Sequence, residues 1–331
     1  MTPAGTLLLR RGEVARLLSL EECIVAVEEA FRLQGEGRIA PPVMLGMPVS
    51  GGGFHIKAAA IDGTRAYFAA KLNGNFPGNR EHCRLPAIQG VIVLCDAENG
   101  SPLAVMDSIE ITILRTGAAT AVAAKYLARA DSKTAAICGC GIQGRIQLRA
   151  IESVLPIMRA YAFDRDPIMA ASFAREMAAE LGFSVEAVAD VSAAVSASDV
   201  CMTCTPSQEF FITAGAVKPG TFIAAVGADN PRKQEIQPEL LARAKVVVDS
   251  LEQCATIGDL HHAIDQGVMT RGSVHAELAE VVAGTKPGRT SDGEIMIFDS
   301  TGVALEDVAA AVVVYERAVR EGVGSGIEFA A

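Results

Sequence analysis

The chain has 331 residues, half of them apolar and 21% charged, which is enough for two domains with sizeable cores and too apolar for a disordered chain. Its net charge of −10 argues against nucleic acid or an anionic membrane as a partner. No run approaches the roughly 20 apolar residues of a membrane span, and Leu7-Leu8-Leu9 is too short for the apolar core of a signal peptide, so a cytoplasmic protein is expected.

In chain order, Ser19-Leu20-Glu21-Glu22 has the form of a capping box. Ile24, Val27 and Phe31 then recur at helical spacing until Gly35 and Gly37 end the helix. Ala40-Pro41-Pro42 reads as a rigid extended link. Strand-like runs follow at 54–61, 67–72 and 91–95, a turn at 96–100, and a returning strand at 103–106. This half is expected to be largely β with one leading helix. Residues 108–129 are alanine-rich and helical, interrupted by Gly117, and bridge into the second half. From Thr134 onward strands alternate with helices. The strands are expected at 134–138, 160–163, 184–188, 199–203, 221–226 and 245–248, with a further short one at 295–298. Such alternation implies a parallel sheet with helices on both faces. A last helix, 305–321, is capped after Gly322 and can pack back on the first half, making the first domain discontinuous.

The second half is organised around Cys138-Gly139-Cys140-Gly141-Ile142-Gln143-Gly144, set between an apolar strand and a helix. That context gives Gly-x-Gly-x-x-Gly its meaning as a dinucleotide-binding turn. Gly139 allows the tight turn, Gly141 admits a pyrophosphate to the backbone, and Gly144 lets helix and strand pack closely. The helix N-terminus offers its amides to phosphate. Asp164 ends the next strand, 25 residues after Gly139, where an acidic side chain accepts from the ribose 2′-OH of NAD. Arg165 follows and could turn toward a 2′-phosphate, so NAD(H) is favoured with NADP(H) as the other possibility. Of the eight cysteines, Cys201 and Cys204 form Cys-x-x-Cys, but within an apolar strand and without a second pair. No metal is expected, and the eight read as reduced, small buried thiols.

Several polar residues stand in unusual company. Lys71 lies in an apolar strand just before a glycine loop, and Arg115 in a nearly all-apolar helix with no carboxylate one helical turn beyond it. Arg115 either grips a substrate carboxylate with its planar fork or closes an internal salt bridge. Asp229 follows the strand end Ala224-Ala225-Val226-Gly227-Ala228, where ligands of such sheets lie, and reads as an acid/base or as a turn or capping aspartate. Thr205-Pro206-Ser207 and Asp299-Ser300-Thr301-Gly302 follow strand ends too. The adjacent His261 and His262 cannot share a helix face and are expected to be surface or packing residues.

Five stretches together resemble the ornithine cyclodeaminase/mu-crystallin family. They are Lys71 to Asn79, Leu114 to Ala119, Cys138 to Gln143, Gly227 to Glu235 and Phe298 to Gly302, in the family's order. The resemblance implies an α/β subunit: a Rossmann-type doubly wound parallel sheet domain, 118–304, plus a discontinuous α+β substrate and dimerisation domain, 1–117 with 305–331. It implies Asp229 and Lys71 as catalytic residues, Arg115 and Lys71 as ligands of the substrate carboxylate, and a homodimer. The cofactor would meet Gly139, Gly141, Ile142, Gln143, Gly144, Asp164, Arg165, Thr205, Pro206, Ser207, Gly227, Ser300 and Thr301. Two positions depart from the pattern. Val43 stands where relatives carry a basic residue after Pro-Pro, and Ala87 where several carry Thr. His55 and Lys57 are candidates for the missing polar contact.

The chemistry implied is hydride transfer between nicotinamide and the α-carbon of a small amino or imino acid. The resemblance is strongest to the alanine dehydrogenase branch, which points to an NAD(P)H-dependent imino-acid reductase or amino-acid dehydrogenase. The alternatives within the family are ornithine cyclodeaminase, a lyase that recycles its NAD, and a non-catalytic binder like the mu-crystallins.

Overall fold

The computed structural model describes residues 5–39, 42–63 and 65–329, so Ala40 and Pro41 of the expected rigid link lie outside the described residues. The chain divides into two compact units, 1–115 with 303–331, and 116–302. The first begins with β1 (Thr6–Leu9), α1 (Arg11–Leu17), α2 (Leu20–Gly35), β2 (Val43–Val49), β3 (Gly52–Asp62) and β4 (Ala66–Asn75). It continues with α3 (Asn79–His82), β5 (Ile88–Asp96) and β6 (Pro102–Asp107). The division falls within α4 (Ile109–Leu127). The second unit holds β7 (Thr134–Cys138), α5 (Ile142–Glu152), β8 (Arg159–Phe163), α6 (Pro167–Leu181), β9 (Ser184–Ala187), α7 (Val191–Ala197) and β10 (Val200–Thr203). After these come β11 (Phe222–Ala225), α8 (Pro238–Arg243), β12 (Lys245–Val248), α9 (Leu251–Ile257), α10 (Asp259–Asp265), β13 (Ala276–Glu277), α11 (Leu278–Val282) and β14 (Met296–Asp299). The chain then returns to the first unit as α12 (Ala304–Glu321) and β15 (Ser325–Ile327).

Local chemistry accounts for the helices of the first unit. Ser19 Oγ accepts from the Glu22 amide at 3.2 Å, and the Glu22 carboxylate accepts from the Ser19 amide at 3.1 Å, closing the capping box of α2. Cys23, Ile24, Val27 and Phe31 form its buried face. α12 ends on Gly322 in the left-handed conformation, whose amide donates to the Ala318 carbonyl. It packs against α2, β3, β4 and β5.

The seven-stranded sheet runs β15-β1-β6-β5-β4-β3-β2, antiparallel from β6 to β2. Its register places Lys57, Lys71, Ile92 and Met106 in one cross-strand row. Ile92 and Met106 of that row are fully buried. The next row, Leu45, Ile56, Leu72 and Val91, points to the other face, because successive strand residues alternate. All four are exposed, from 37% to 58%.

The second sheet, β13-β12-β14-β11-β10-β7-β8-β9, is wholly parallel. The chain leaves β7 toward β8 and β9 on one side, then crosses to β10 and β11 on the other. β7 and β10 therefore flank the topological switch point, where ligands of open α/β sheets bind.

Four strands were not expected from the sequence. β13 and β15, of two and three residues, are too short for a pattern, β1 is a bare four-residue run, and β2 carries Gly46 and Pro48, which only an edge strand tolerates. The glycine loop expected after Lys71 is instead strand, since β4 continues through Gly74 to Asn75. α4 runs unbroken through Gly117, whose missing side chain leaves room for Ile146 of α5.

Candidate functional site

The second unit contains a crevice of about 720 Å³ at the switch point. Gly139, Asp164, Arg165, Thr205, Pro206 and Ser207 line it, so the structure brings these six sequence candidates together. Gly139 has φ +101°, a conformation that disfavours a side chain, and a Cβ there would meet the Cys204 carbonyl at 2.8 Å. Gly144 packs so closely on the Gly139 carbonyl that a Cβ would overlap it, which ties α5 to the turn. A Cβ at Gly141 would stand in open space, and α5 has no side-chain cap at Gly141. Asp164 follows β8, with Oδ2 accepting from the Cys140 amide at 2.8 Å and Oδ1 from the Asp166 amide at 3.0 Å. These residues fit a dinucleotide: an open glycine turn, an uncapped helix start and a carboxylate at the ribose position. Ile142 is exposed and Gln143 partly buried at the start of α5. Ser300 and Thr301 are buried and bonded to Asp249. Asp249 accepts from Ser300 Oγ at 3.0 Å and from the Thr301 and Gly302 amides at 2.7 and 2.6 Å.

The first unit gathers the cations. Lys71 Nζ is 2.7 Å from Asp307 Oδ1, and Arg115 Nη1 is 2.8 Å from Glu306 Oε2. Arg115 Nε also lies 3.3 Å from Asp307 Oδ1. All four side chains are buried. Arg115 is therefore not the isolated cation that its helix suggested: both carboxylates come from the first turn of α12, far along the chain. Burial, opposed by Asp307 and reinforced by Arg115 and Lys57, brings the Lys71 ammonium from its ordinary 10.5 down to about 7. Burial also works against the Asp307 charge, yet Lys71 and Arg115 hold that carboxyl below the usual range. The two shifts differ because Lys71 is crowded by like charges and Asp307 by opposite ones. Lys57 stands opposite Lys71 in the β3–β4 register, partly buried, and His55 is exposed two residues before it. Within the unit, Lys57, Lys71 and Arg115 thus form one basic group.

Asp229 is exposed in the loop after β11 and caps no helix. Its Oδ1 lies 2.8 Å from Lys233 Nζ and accepts from Asn230 Nδ2 at 3.1 Å. His261 and His262 are packing residues, as expected, but their rings do meet, stacked with centroids 3.8 Å apart. Nδ1 of His261 meets the Gly258 carbonyl at 2.6 Å, and Nε2 of His262 meets the Lys233 carbonyl at 2.8 Å, which turns the two rings toward each other. All eight cysteines are unpaired. Cys83 is exposed and Cys95 and Cys204 are half-buried, so not all are the buried thiols expected. Cys138 and Cys201, on neighbouring strands, are in contact, and that contact together with burial pushes the Cys138 thiol up. Among the described residues no group of His, Cys, Asp or Glu is placed to hold a metal, and no helix is long and apolar enough to cross a membrane.

Sequence reasoning missed the buried carboxylates. Glu235 lies within a matched stretch but received no role. It accepts from Thr203, Thr205 and Gly227, and burial pushes its carboxyl up against those hydrogen bonds. Asp249, Asp259, Glu306 and Asp307 likewise had no signal beyond being acidic residues in apolar surroundings.

The chain matches the model of the ornithine cyclodeaminase/mu-crystallin family over residues 5–322. It is 42% identical over 330 residues to an alanine dehydrogenase of Archaeoglobus fulgidus, with 98% of each chain covered. Among solved structures, an archaeal alanine dehydrogenase dimer with bound NAD superposes with a TM-score of 0.93 at 42% identity, covering 98% of this chain and 99% of the other. A Thermococcus litoralis Δ1-pyrroline-2-carboxylate reductase in complex with NADH and L-proline gives 0.90 at 36% identity, with 97% and 100% covered.

Proposed function

The chain belongs to the ornithine cyclodeaminase/mu-crystallin family, and from that premise we propose that it is an NAD(H)-dependent oxidoreductase of small imino and amino acids. The observation that carries this reading is the switch-point crevice with Asp164 at the end of its second strand. An acidic side chain there accepts from a ribose hydroxyl and repels a 2′-phosphate, which favours NAD(H) over NADP(H). NAD(H), when bound, supplies the hydride exchanged with the substrate α-carbon.

The protein's own residues supply orientation and protons. Lys71 and Arg115 hold the substrate carboxylate: an ammonium has three donors, of which Asp307 takes one, and the planar fork of a guanidinium matches a carboxylate. Asp229, in the loop after β11, moves the proton at the substrate nitrogen, and Lys233 orients its carboxylate. The basic group of Lys57, Lys71 and Arg115 suits an anionic, carboxylate-bearing substrate.

The assembly we assign is a homodimer. The exposed row Leu45, Ile56, Leu72 and Val91 supports it, being an apolar sheet face of the kind a second copy covers. Eight unpaired thiols support a reducing, cytoplasmic compartment.

The test is NADH oxidation with small 2-oxo acids plus ammonia or methylamine, and with cyclic imines. Turnover of at least one of these small imino acids is expected. No turnover, or ammonia release from ornithine without net NADH change, would overturn this reading, the latter in favour of the lyase.

A further inference from the structure

The Glu235 side chain is wholly buried and takes no part in the chemistry above. Its two oxygens nevertheless receive four donors. Oε1 accepts from the amide and the hydroxyl of Thr205, each at 2.6 Å. Oε2 accepts from Thr203 Oγ1 at 2.6 Å and from the Gly227 amide at 2.9 Å. A carboxylate has about four lone-pair directions, so all are filled. The donors come from three places: the last residue of β10, the loop after β10, and the loop after β11 that leads to Asp229. Thr205, with Pro206 and Ser207, lines the dinucleotide crevice. Gly227 lies so close to the carboxyl group that a Cβ there would overlap it.

The platform beneath Glu235 is fixed in turn. Its own amide and that of Ile236 donate to Asp259 Oδ1 at 2.7 and 2.9 Å. The Phe211 and Ile212 amides donate to its carbonyl at 3.1 and 3.0 Å. Asp299 Oδ2 accepts from the Leu260 amide at 2.8 Å, anchoring the segment that carries Asp259.

We propose that Glu235 is a positioning residue for the dinucleotide, joining the ends of β10 and β11 so that Thr205 to Ser207 present a fixed wall to it. This rests on the cofactor reading above. A carboxylate is required because four donors converge on it. An amide in its place would turn its NH₂ toward two of those donors, one of them a backbone amide, of Thr205 or of Gly227 according to the flip, that cannot reverse its role.

Fluorescence titration of NADH tests the proposal, with the imino-acid KM measured at saturating NADH. Glu235→Gln should weaken NADH binding about tenfold, and Thr203→Val, which removes one hydroxyl donor, about fivefold. Thr203→Ser should restore wild-type binding. In all three the imino-acid KM should stay within about twofold of wild type, because the clamp acts on the cofactor wall. If wild type binds no NADH, the cofactor reading fails and this proposal with it. If wild type binds NADH and folded Glu235→Gln and Thr203→Val bind it equally well, the proposal alone fails. Parallel losses in NADH affinity and imino-acid KM would also overturn it, by making Glu235 a general support of the fold. Should Glu235→Gln not fold, the Thr203 pair decides by the same criteria.

Discussion

Raising the pH through neutrality should weaken capture of the imino acid through one group, Lys71. Its ammonium is buried beside Arg115 and Lys57, which brings it down to about 7, with Asp307 opposing the loss of its proton. A neutral amine cannot balance a substrate carboxylate. Two units above its pKa about 1% of the free enzyme keeps the ammonium, so kcat/KM should fall about 100-fold between about pH 6 and about pH 9. The substrate also titrates, and that contribution must be removed. Lys71→Arg does this, because a guanidinium stays charged throughout and the substrate's own ionisation cancels in the ratio of the two enzymes. The assay is steady-state NADH oxidation with a cyclic monocarboxylate imine, and the quantity is wild-type kcat/KM divided by that of Lys71→Arg. The ratio should fall by one to two orders of magnitude with rising pH, whatever the variant's plateau. Parallel pH profiles would refute the reasoning. Stability carries the opposite sign. Between about 7 and 10.5 the unfolded chain binds the Lys71 proton and the folded chain does not. The wild type should therefore gain stability relative to Lys71→Arg as pH rises through that window, by a few kcal/mol at most, read from urea midpoints.

Three further outcomes are expected. Asp164→Ala should lower NADH affinity and shift preference toward NADPH, because it removes the ribose acceptor beside the exposed Arg165 and frees the Cys140 amide. Titration of both cofactors checks this, and tighter binding of NADPH than NADH by wild type would sink it. Asp229→Asn should lower kcat by about 10²–10⁴ with a small effect on imino-acid KM, and a normal kcat across pH would reduce Asp229 to a loop residue paired with Lys233. Leu72→Glu, at the centre of the exposed apolar row, should yield monomers by light scattering, whereas an unchanged dimer would place the interface elsewhere.

What could be read from the sequence follows the range of the interactions involved. The capping box at Ser19, the turn at Asp96 to Gly100 and the cap at Gly322 are decided by residues within four positions of one another, and each appears where its residues predict. β10, β11 and β12 of the parallel sheet were readable because both faces are covered, so each is a short continuous apolar run. β2 was not readable. Gly46 and Pro48 oppose a strand locally, and only its place at the sheet edge beside β3 makes one. The glycines of the dinucleotide turn were legible for the reason the buried carboxylates were not: a glycine requirement is a property of the backbone at that residue.

Lys71 and Arg115 show the same division at the site. Each is out of place among apolar neighbours, so the sequence singles it out, but nothing near it in the chain says what it meets. Arg115 finds Glu306 across 191 residues and Lys71 finds Asp307 across 236. Read alone, Glu306 and Asp307 are ordinary acids in the first turn of a helix, complementing its dipole. That role costs nothing extra when such acids are exposed. These two are buried, and a buried carboxylate needs a cation or several donors, so their depth already requires a positive partner. The requirement runs both ways, because two buried cations on β4 and α4 would be costly without them. The ion pairs are therefore compatible with substrate binding rather than an alternative to it. The carboxylates of α12 make it affordable to hold two cations out of water.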